Sequence, residues 1–169
     1  MEATEVRKLT ALEDRHWWYR ERRRLLARSV ADLTPGTALD VGAAGGGNTR
    51  VLQKLGWQVS ALEFGADGAE VCAERSIPVV RGDATKLPIA PGSLDLVVAF
   101  DVLEHLEDDK AAAAGVFEAL KPGGTFLVAV PAIPGCGPRT TTRSAMCAAT
   151  PARPSATVVR RGFPLRADA

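Results

Sequence analysis

The stretch ALDVGAAGGGNTRVL, residues 38–52, decides the fold of this chain. It runs from an apolar, strand-like segment through the carboxylate of Asp40 into a glycine-rich turn, and then into a helical pattern. Glycines let a backbone turn sharply and approach a ligand where a Cβ would clash. A helix that follows such a turn directs its free N–H groups at whatever lies there. The pattern therefore predicts a nucleotide-type binding loop between a strand and a helix.

The composition is that of one ordinary globular domain. Of the 169 residues, 46% are hydrophobic and 24% are charged, which are typical globular values. The formal net charge is +1, but residues 1–135 carry 15 Lys and Arg against 19 Asp and Glu, whereas residues 136–169 carry six Arg against a single Asp. The acidic body of the chain argues against nucleic acid as a partner.

Metal-binding and targeting patterns are absent from the sequence. The cysteines Cys72, Cys136 and Cys147 have no Cys-x-x-Cys spacing, and two histidines are too few for a zinc site. The first residues, MEATEVRKLT, place charges where a signal peptide needs an apolar core, and no apolar run reaches about 18 residues. We therefore expect a soluble, cytoplasmic protein with reduced thiols, without a metal and without a membrane partner.

Strands and helices alternate along most of the chain. Helical spacing predicts one helix over residues 7–33, which ends at Pro35-Gly36. Later helices are expected after the glycine loop, over residues 66–75 and over about 108–120. Apolar or alternating runs predict five strands, at residues 37–41, 57–64, 78–81, 94–100 and 125–130. This order predicts an α/β fold with a doubly wound, Rossmann-like, mostly parallel sheet.

The alternating pattern stops after Pro134. The remaining residues have short side chains and scattered Arg and Pro, and only Thr157–Val159 hints at a strand. We therefore expect three segments: an N-terminal helical cap over residues 1–36, an α/β domain over residues 37–134, and an irregular basic tail over residues 135–169.

Four motifs occur in the order found in class I S-adenosylmethionine (SAM)-dependent methyltransferases. The strand and glycine loop resemble motif I of that family, although Ala44 stands where the family pattern has glycine. GDATKLP, residues 82–88, resembles the family's adenine-binding loop, and AFDVLEHLED, residues 99–108, resembles the post-strand segment of its small-molecule enzymes. LKPGGTFLVAVP, residues 120–131, resembles the turn into the fifth strand. The resemblance implies methyl transfer from SAM to a small-molecule acceptor.

The resemblance also implies which residues bind SAM. The glycine loop would shape the methionine side, an acid at the end of the second strand would hold the ribose hydroxyls, the GDATKLP loop would take the adenine, and the residue after the fourth strand would lie near the methionine moiety. The implied SAM-binding residues are Asp40, Gly42, Ala44, Gly46, Glu63, Phe64, Asp83, Ala84 and Asp101.

The acceptor side is expected to involve the N-terminal helix. EDRHWWYRERRR, residues 13–24, resembles the leading segment of some bacterial class I methyltransferases, which often caps the substrate side. The aromatic group that could line an acceptor pocket is His16, Trp17, Trp18 and Tyr19, and the arginines at positions 20, 22, 23 and 24 could meet a phosphate or an acidic acceptor. His105 is the candidate general base, because histidine titrates near neutral pH.

Two other functions remain open from the sequence. An NAD(P)-dependent oxidoreductase would need glycine at positions 42, 44 and 47, and both Ala44 and the GDATKLP loop disfavour it. A non-catalytic product is the second alternative, because methyltransferases of this class continue past the fifth strand with a helix and an antiparallel hairpin. The tail does not show them, so the sheet is expected to lack its last two strands. If the tail is read in a shifted frame, the edge of the fifth strand is expected to be exposed.

We hypothesise that the tail is read in a shifted frame. If the last base of each codon is taken with the first two of the next, residues 137–152 permit the peptide Trp-Ser-Pro-His-Asp-Asp-Ala-Leu-Gly-His-Val-Arg-Arg-Tyr-Thr-Arg. This peptide resembles the segment that related methyltransferases carry after the fifth strand. Resequencing the gene tests the hypothesis, and an unbroken frame with no homologous shifted reading would contradict it.

Overall fold

The computed structural model describes residues 3–13, 15–130 and 157–160. Its helices are α1 (Ala3–Glu13), α2 (Trp17–Ser29), α3 (Gly47–Lys54), α4 (Ala66–Glu74) and α5 (Asp109–Ala119). Its strands are β1 (Thr37–Val41), β2 (Gln58–Glu63), β3 (Val79–Arg81), β4 (Leu94–Phe100), β5 (Leu120–Ala129) and β6 (Thr157–Arg160). Short 3-10 turns occupy Ala84–Lys86 and Leu103–His105.

The strands form one sheet in the order β3-β2-β1-β4-β5-β6. Strands β1 to β5 are parallel, and helices cover both faces: Leu26 of α2 and Leu52 of α3 pack on one face, and Val116 of α5 packs on the other. The predicted doubly wound sheet is confirmed. The strand order reverses between β1 and β4: β2 and β3 follow on one side of β1, and β4 and β5 lie on the other. Open α/β sheets bind ligands at this point, at the carboxyl ends of the strands.

The N-terminal region differs from the single helix predicted over residues 7–33. It forms two helices, and His16 is the N-cap of the second: its backbone is extended and its Nδ1 accepts a hydrogen bond from the backbone N–H of Trp18 at 3.3 Å. Helix α2 then ends at Ser29, and the N–H of Val30 bonds to the carbonyl of Leu26. Apolar spacing continues through the break, so periodicity alone does not reveal a local cap.

The sheet continues beyond β5, which the sequence analysis did not predict. Strand β6 pairs antiparallel with β5, in a register that joins Thr125 to Arg160 and Val128 to Thr157. The expectation of an exposed fifth-strand edge is therefore wrong, since backbone groups of β5 pair with β6. The remaining predictions for the tail, including the shifted frame, concern residues outside those that the structure describes.

The turn predicted before β5 lies inside that strand. The strand begins at Leu120, which pairs with Leu94, and the pairing shifts register before Leu96 meets Thr125. The predicted turn at residues 121–124 is therefore an irregularity within the strand. Along the described residues, every helix is too short or too polar to cross a membrane.

Candidate functional site

The glycine loop joins β1 to α3 at the carboxyl edge of the sheet. Gly42 and Gly46 have φ values of +67° and +72°, in the left-handed region that favours glycine. A Cβ built on Gly42 would lie 2.5 Å from Cγ2 of Val102, and one built on Gly46 would collide with Cδ1 of Ile77. Ala44 also has a positive φ, +48°. The backbone conformation and the neighbouring side chains therefore both favour glycine at positions 42 and 46.

Asp40 lies beneath the loop and is 1% exposed. Its Oδ2 accepts a hydrogen bond of 2.6 Å from the hydroxyl of Thr49, in the first turn of α3. Burial raises the pKa of Asp40 to about 7, the Thr49 hydrogen bond acts in the opposite direction, and the charge of Glu63 adds to the rise. Asp40 thus ties β1 to α3 beneath the glycine loop.

We expect the variant Asp40→Asn to change how stability depends on pH. Because the pKa of Asp40 is higher in the folded chain than its ordinary value of 3.8, ionising Asp40 destabilises the fold as pH rises from about 4 to about 7. Asparagine can still accept the Thr49 hydrogen bond but does not ionise. The variant should therefore gain stability relative to the parent over that range, by up to roughly 4 kcal/mol at pH 8. Urea unfolding at several pH values measures the difference.

Asp95→Asn serves as a control, because its effect on stability should depend on pH in the opposite direction. Hydrogen bonds from Lys121 and from the backbone N–H of Thr37 lower the pKa of Asp95. Its contribution to stability is present at neutral pH and is lost as pH falls, so Asp95→Asn should be less stable than the parent at pH 7 and approach it in acid. Parallel pH profiles for parent and Asp40→Asn would contradict the assignment to Asp40.

Glu63 ends β2 and contacts the glycine loop directly. Its Oε1 accepts a hydrogen bond from the backbone N–H of Ala44. Burial raises the pKa of Glu63, whereas the Ala44 hydrogen bond lowers it. A Cβ on Gly68 would lie 2.5 Å from Oε2 of Glu63, so α4 closely approaches the carboxylate from the other side. The structure thus places the predicted ribose-binding acid against the predicted loop.

A cavity of about 510 Å³ opens at the carboxyl ends of β1, β2 and β4. This volume lies in the range of small-molecule sites. Of the nine residues predicted to bind the cofactor, those that line it are Gly42, Phe64, Asp83 and Ala84. The ring of Phe64 is 77% exposed and therefore available to a ligand. Asp40, Ala44, Gly46, Glu63 and Asp101 are outside this lining, in the loop and at the ends of neighbouring strands.

Asp83 has one carboxylate oxygen occupied within its own loop. Oδ1 accepts hydrogen bonds from the backbone N–H and the hydroxyl of Thr85, at 2.8 and 2.7 Å. These hydrogen bonds lower the pKa of Asp83, so the carboxylate is held ionised. The geometry caps the 3-10 turn Ala84–Lys86 and leaves the other oxygen, Oδ2, for a ligand donor.

Asp101 follows β4 and forms an ion pair with Arg22 of α2. Asp101 has a φ of +58°, and its N–H bonds to the carbonyl of Ala129 at 2.8 Å. Arg22 is 3% exposed, and its guanidinium lies 5.1 Å from the ring centre of Trp18 and 5.5 Å from that of Phe100. Sequence reasoning did not single out Arg22 among its neighbouring arginines.

A signal for Arg22 was present in the helical spacing. Arg22, Leu26 and Val30 follow one another at intervals of four residues, and all three are buried. A charged residue in the buried row of a helix requires a partner, whereas arginines on the exposed face do not. The partner, Asp101, is 79 residues away in the chain, so spacing could have found Arg22 but not the pair.

The predicted acceptor residues fall into two groups. His16 caps α2 and Trp17 is 66% exposed, whereas Trp18 and Tyr19 are half-buried beside the Arg22–Asp101 pair. Burial raises the pKa of Tyr19, and the charges of Glu13 and Asp101 add to it. None of the four predicted residues lines the cavity.

His105 lines the cavity and lies on the 3-10 turn Leu103–His105. Helix α5 begins later, where the carboxylate of Asp108 accepts the N–H of Ala111 at 2.8 Å. The neighbouring Glu104 was not predicted as a site residue. Its Oε2 is buried without a hydrogen-bond partner among the described residues, and burial raises its pKa. Within the same residues, no cluster of three or more His, Cys, Asp or Glu side chains could hold a metal ion.

Fold and site together define a class of protein. An open α/β sheet with a glycine loop after β1, an acid at the end of β2 and a cavity where the strand order reverses is typical of domains that bind a nucleoside-containing cofactor. Residues 39–128 match the family model described as a methyltransferase domain. The chain therefore belongs to the class I SAM-dependent methyltransferases.

Individual relatives agree with this membership. The chain is 28% identical over 132 residues to a Mycolicibacterium smegmatis protein named "Probable S-adenosylmethionine-dependent methyltransferase", covering 76% of this chain and 51% of that one. It is 34% identical over 118 residues to the demethylmenaquinone methyltransferase of Renibacterium salmoninarum, covering 69% and 50%. The chain thus spans about half the length of the curated relatives it matches.

A solved structure shows the same fold. Phosphoethanolamine N-methyltransferase 2 of Haemonchus contortus, in complex with S-adenosyl-L-methionine, superimposes with a TM-score of 0.63 at 24% sequence identity. The match covers 75% of this chain and 31% of that one.

Proposed function

We propose that this chain binds SAM at the carboxyl edge of its sheet and transfers the methyl group to a small-molecule acceptor. The observation that carries the proposal is the contact between Glu63 and the N–H of Ala44, which brings a ribose-binding acid to the glycine loop of a methyltransferase domain. When bound, SAM supplies an electrophilic sulfonium methyl group. The residues of the chain bind it, orient it and hold the acceptor in line with it.

Each part of the site fits one part of the cofactor. Glu63 can accept hydrogen bonds from both ribose hydroxyls. The exposed ring of Phe64 offers a face for the adenine, and Oδ2 of Asp83 can accept from the adenine amino group. Gly42 and Gly46 let the backbone approach the amino acid side without a Cβ. Asp40 serves as a positioning residue beneath the loop.

The acceptor is proposed to be a small molecule that enters between α2 and the turn after β4. Demethylmenaquinone is named as the substrate class of one relative, which supports an organic acceptor of that size. Trp18 and Tyr19 of α2 are half-buried, and His105 lines the cavity. His105 can accept the proton that an oxygen or nitrogen nucleophile loses.

Calorimetric titration of the purified chain tests the cofactor assignment. We expect binding of SAM and of S-adenosylhomocysteine, and no binding of NADH. Binding of NADH alone would favour the oxidoreductase alternative, which Ala44 and the GDATKLP loop disfavour. A folded chain that binds none of the three would contradict the proposal and favour the non-catalytic alternative.

Transfer of the methyl group to an acceptor needs a separate measurement. A chain that binds SAM should release S-adenosylhomocysteine in the presence of a suitable acceptor, and demethylated quinols are the first compounds to try because of the relative named above. SAM binding without turnover on a broad panel would favour a chain that binds the cofactor without transferring its methyl group.

A further inference from the structure

We propose that helix α2 carries a docking surface for an anionic lipid membrane on the side that points away from the sheet. This surface, which we call the arginine stripe, consists of Trp17, Arg20, Arg24 and Arg28. Membrane binding is separate from methyl transfer, so the inference goes beyond the proposed function and does not depend on it.

The arginine stripe follows one line along α2. Its members are three or four residues apart, a spacing that places side chains on the same side of a helix. All four members are exposed, whereas Arg22 and Leu26, on the opposite side of the helix, are buried. At about 1.5 Å per residue, the stripe extends for roughly 16 Å from Trp17 to Arg28. It therefore forms a continuous surface that faces away from the sheet.

The arginines of the stripe carry more charge than their neighbours neutralise. Arg24 forms an ion pair of 3.2 Å with Glu21, and an exposed pair of this kind is weak. The side chains of Arg20 and Arg28 form no ion pair with any residue that the structure describes. A guanidinium keeps its charge at every physiological pH. The stripe therefore presents a net positive charge to solvent.

This local charge is opposite in sign to the net charge of the body of the chain. Residues 1–135 carry 15 Lys and Arg against 19 Asp and Glu. An anionic membrane therefore attracts the stripe and repels most of the remaining surface, which sets the orientation of the bound chain. The tail, residues 131–169, adds six Arg and a single Asp, so it does not supply the acids that would pair with the stripe. The charge and hydropathy of the whole chain, which favoured no membrane partner, average over this asymmetry.

Exposed apolar side chains lie at the N-terminal end of the stripe. Trp17 is 66% exposed, and Leu12, near the end of α1, is 48% exposed. A tight turn joins the two, in which the N–H of His16 bonds to the carbonyl of Leu12 at 2.8 Å. Indole rings favour the interface between lipid headgroups and acyl chains, and guanidinium groups bind phosphates. Apolar side chains next to a row of cations favour a bilayer over a nucleic acid, which attracts the arginines but offers Leu12 no acyl region.

The stripe lies on the helix that reaches the carboxyl edge of the sheet. Arg22, on the buried side of α2, contacts Asp101 directly after β4. The N-terminal half of α2 therefore lies at the edge where the cavity opens. A membrane bound to the stripe would lie beside this edge.

Vesicle binding by the full chain tests the inference. Vesicles of phosphatidylcholine alone are compared with vesicles in which part of it is replaced by the anionic lipid phosphatidylglycerol. We expect binding to the anionic vesicles, little binding to the neutral ones, and a loss of affinity as salt is raised, because salt screens exposed charges. The variant Arg20→Gln/Arg24→Gln/Arg28→Gln should lower the affinity for anionic vesicles by roughly 100-fold, or about 5-fold for each arginine.

The matched control removes the same charge from other parts of the surface. Arg81→Gln/Lys86→Gln/Lys110→Gln takes away three exposed cations, from β3, from the 3-10 turn that follows it and from α5. This control should leave the affinity for anionic vesicles nearly unchanged. If the triple arginine variant fails to fold, the single variants Arg20→Gln and Arg28→Gln replace it, with about a 5-fold loss expected for each.

Trp17 supplies a second measurement that does not depend on charge. Vesicles that contain a brominated lipid quench the fluorescence of tryptophans that reach the acyl region. We expect quenching in the parent and little of it in Trp17→Ala, because Trp18 is half-buried and Trp57 is 5% exposed. Trp17→Ala should also bind anionic vesicles more weakly than the parent.

Three results would overturn the inference. The first is a folded parent that does not bind anionic vesicles at low salt. The second is an equal loss of affinity in the two triple variants, which would show that net charge acts and the stripe does not. The third is tighter binding to an RNA or DNA oligonucleotide than to anionic vesicles, without quenching of Trp17, which would identify a nucleic acid as the partner. Each of these leaves the proposed function standing, because SAM binding is measured separately.

Discussion

Replacing Glu63 by alanine should weaken the binding of S-adenosylhomocysteine by roughly 100-fold. The carboxylate ends β2 beside the glycine loop, where it can accept hydrogen bonds from two ribose hydroxyls. Charge-assisted hydrogen bonds are the strong class, and the alanine variant loses both at once. Calorimetric titration of parent and variant measures the ratio of dissociation constants.

The control must separate ribose binding from loop support, because Glu63 also accepts the N–H of Ala44. The 2′-deoxy analogue of S-adenosylhomocysteine lacks one ribose hydroxyl and should bind the parent more weakly than S-adenosylhomocysteine. If Glu63 holds the ribose, Glu63→Ala should bind the two ligands almost equally. If Glu63 only supports the loop, both affinities should fall by the same factor, which would contradict the ribose assignment. Glu70→Ala removes an exposed carboxylate from α4 and should leave both affinities unchanged.

Replacing Gly46 by alanine should lower the free energy of unfolding by roughly 2–5 kcal/mol. Two penalties add at this position. The φ of +72° places an L-residue in the left-handed region, and the new Cβ would collide with Cδ1 of Ile77, which lies in a buried cluster with Cys72. Urea or guanidinium unfolding, analysed by linear extrapolation, measures the change.

Two glycines separate these penalties. Gly92 also has a positive φ, +62°, but a Cβ there meets nothing within 4 Å, so Gly92→Ala should cost only the backbone contribution, roughly 1–2 kcal/mol. Gly115 lies inside α5 and its Cβ would make an ordinary 3.4 Å contact with Leu87, so Gly115→Ala should stabilise the chain by roughly 0.5–1 kcal/mol. A Gly46→Ala variant as stable as Gly92→Ala would show that Ile77 moves aside without cost.

Local patterns in the sequence predicted the features that depend on near neighbours in the chain. The run from Asp40 to Gly47 predicted a strand, a tight turn and a helix, because glycine content and apolar spacing act within a few residues. The near-continuous apolar run of β4 predicted a central parallel strand, and its middle residues are fully buried. The position of Glu63 at the end of β2 predicted that it would lie near the glycine loop after β1, because parallel strands end at the same edge of a sheet.

Helix ends and sheet edges were less accessible to such reasoning. The break before His16 leaves the apolar period of the N-terminal region intact, so it depends on a single side-chain cap that competes with a continued helix. The run Thr157–Val159 hinted at a strand, because Thr and Val favour strands, but its pairing partner in β5 lies about 30 residues earlier in the chain. Neither the break nor the pairing partner is contained in the local pattern.

The sequence by itself determined the alternation of strands and helices, the glycine loop and membership of a nucleotide-binding class. Each of these is encoded in residues that lie close together in the chain. Only the tertiary structure decided which charged groups meet. It joined Arg22 to Asp101 and left two buried donors on that guanidinium, and it placed the carboxylate of Glu63 on the N–H of Ala44. Burial and the pairing of distant residues set the energy of a charged group, and both exist only after the chain has folded.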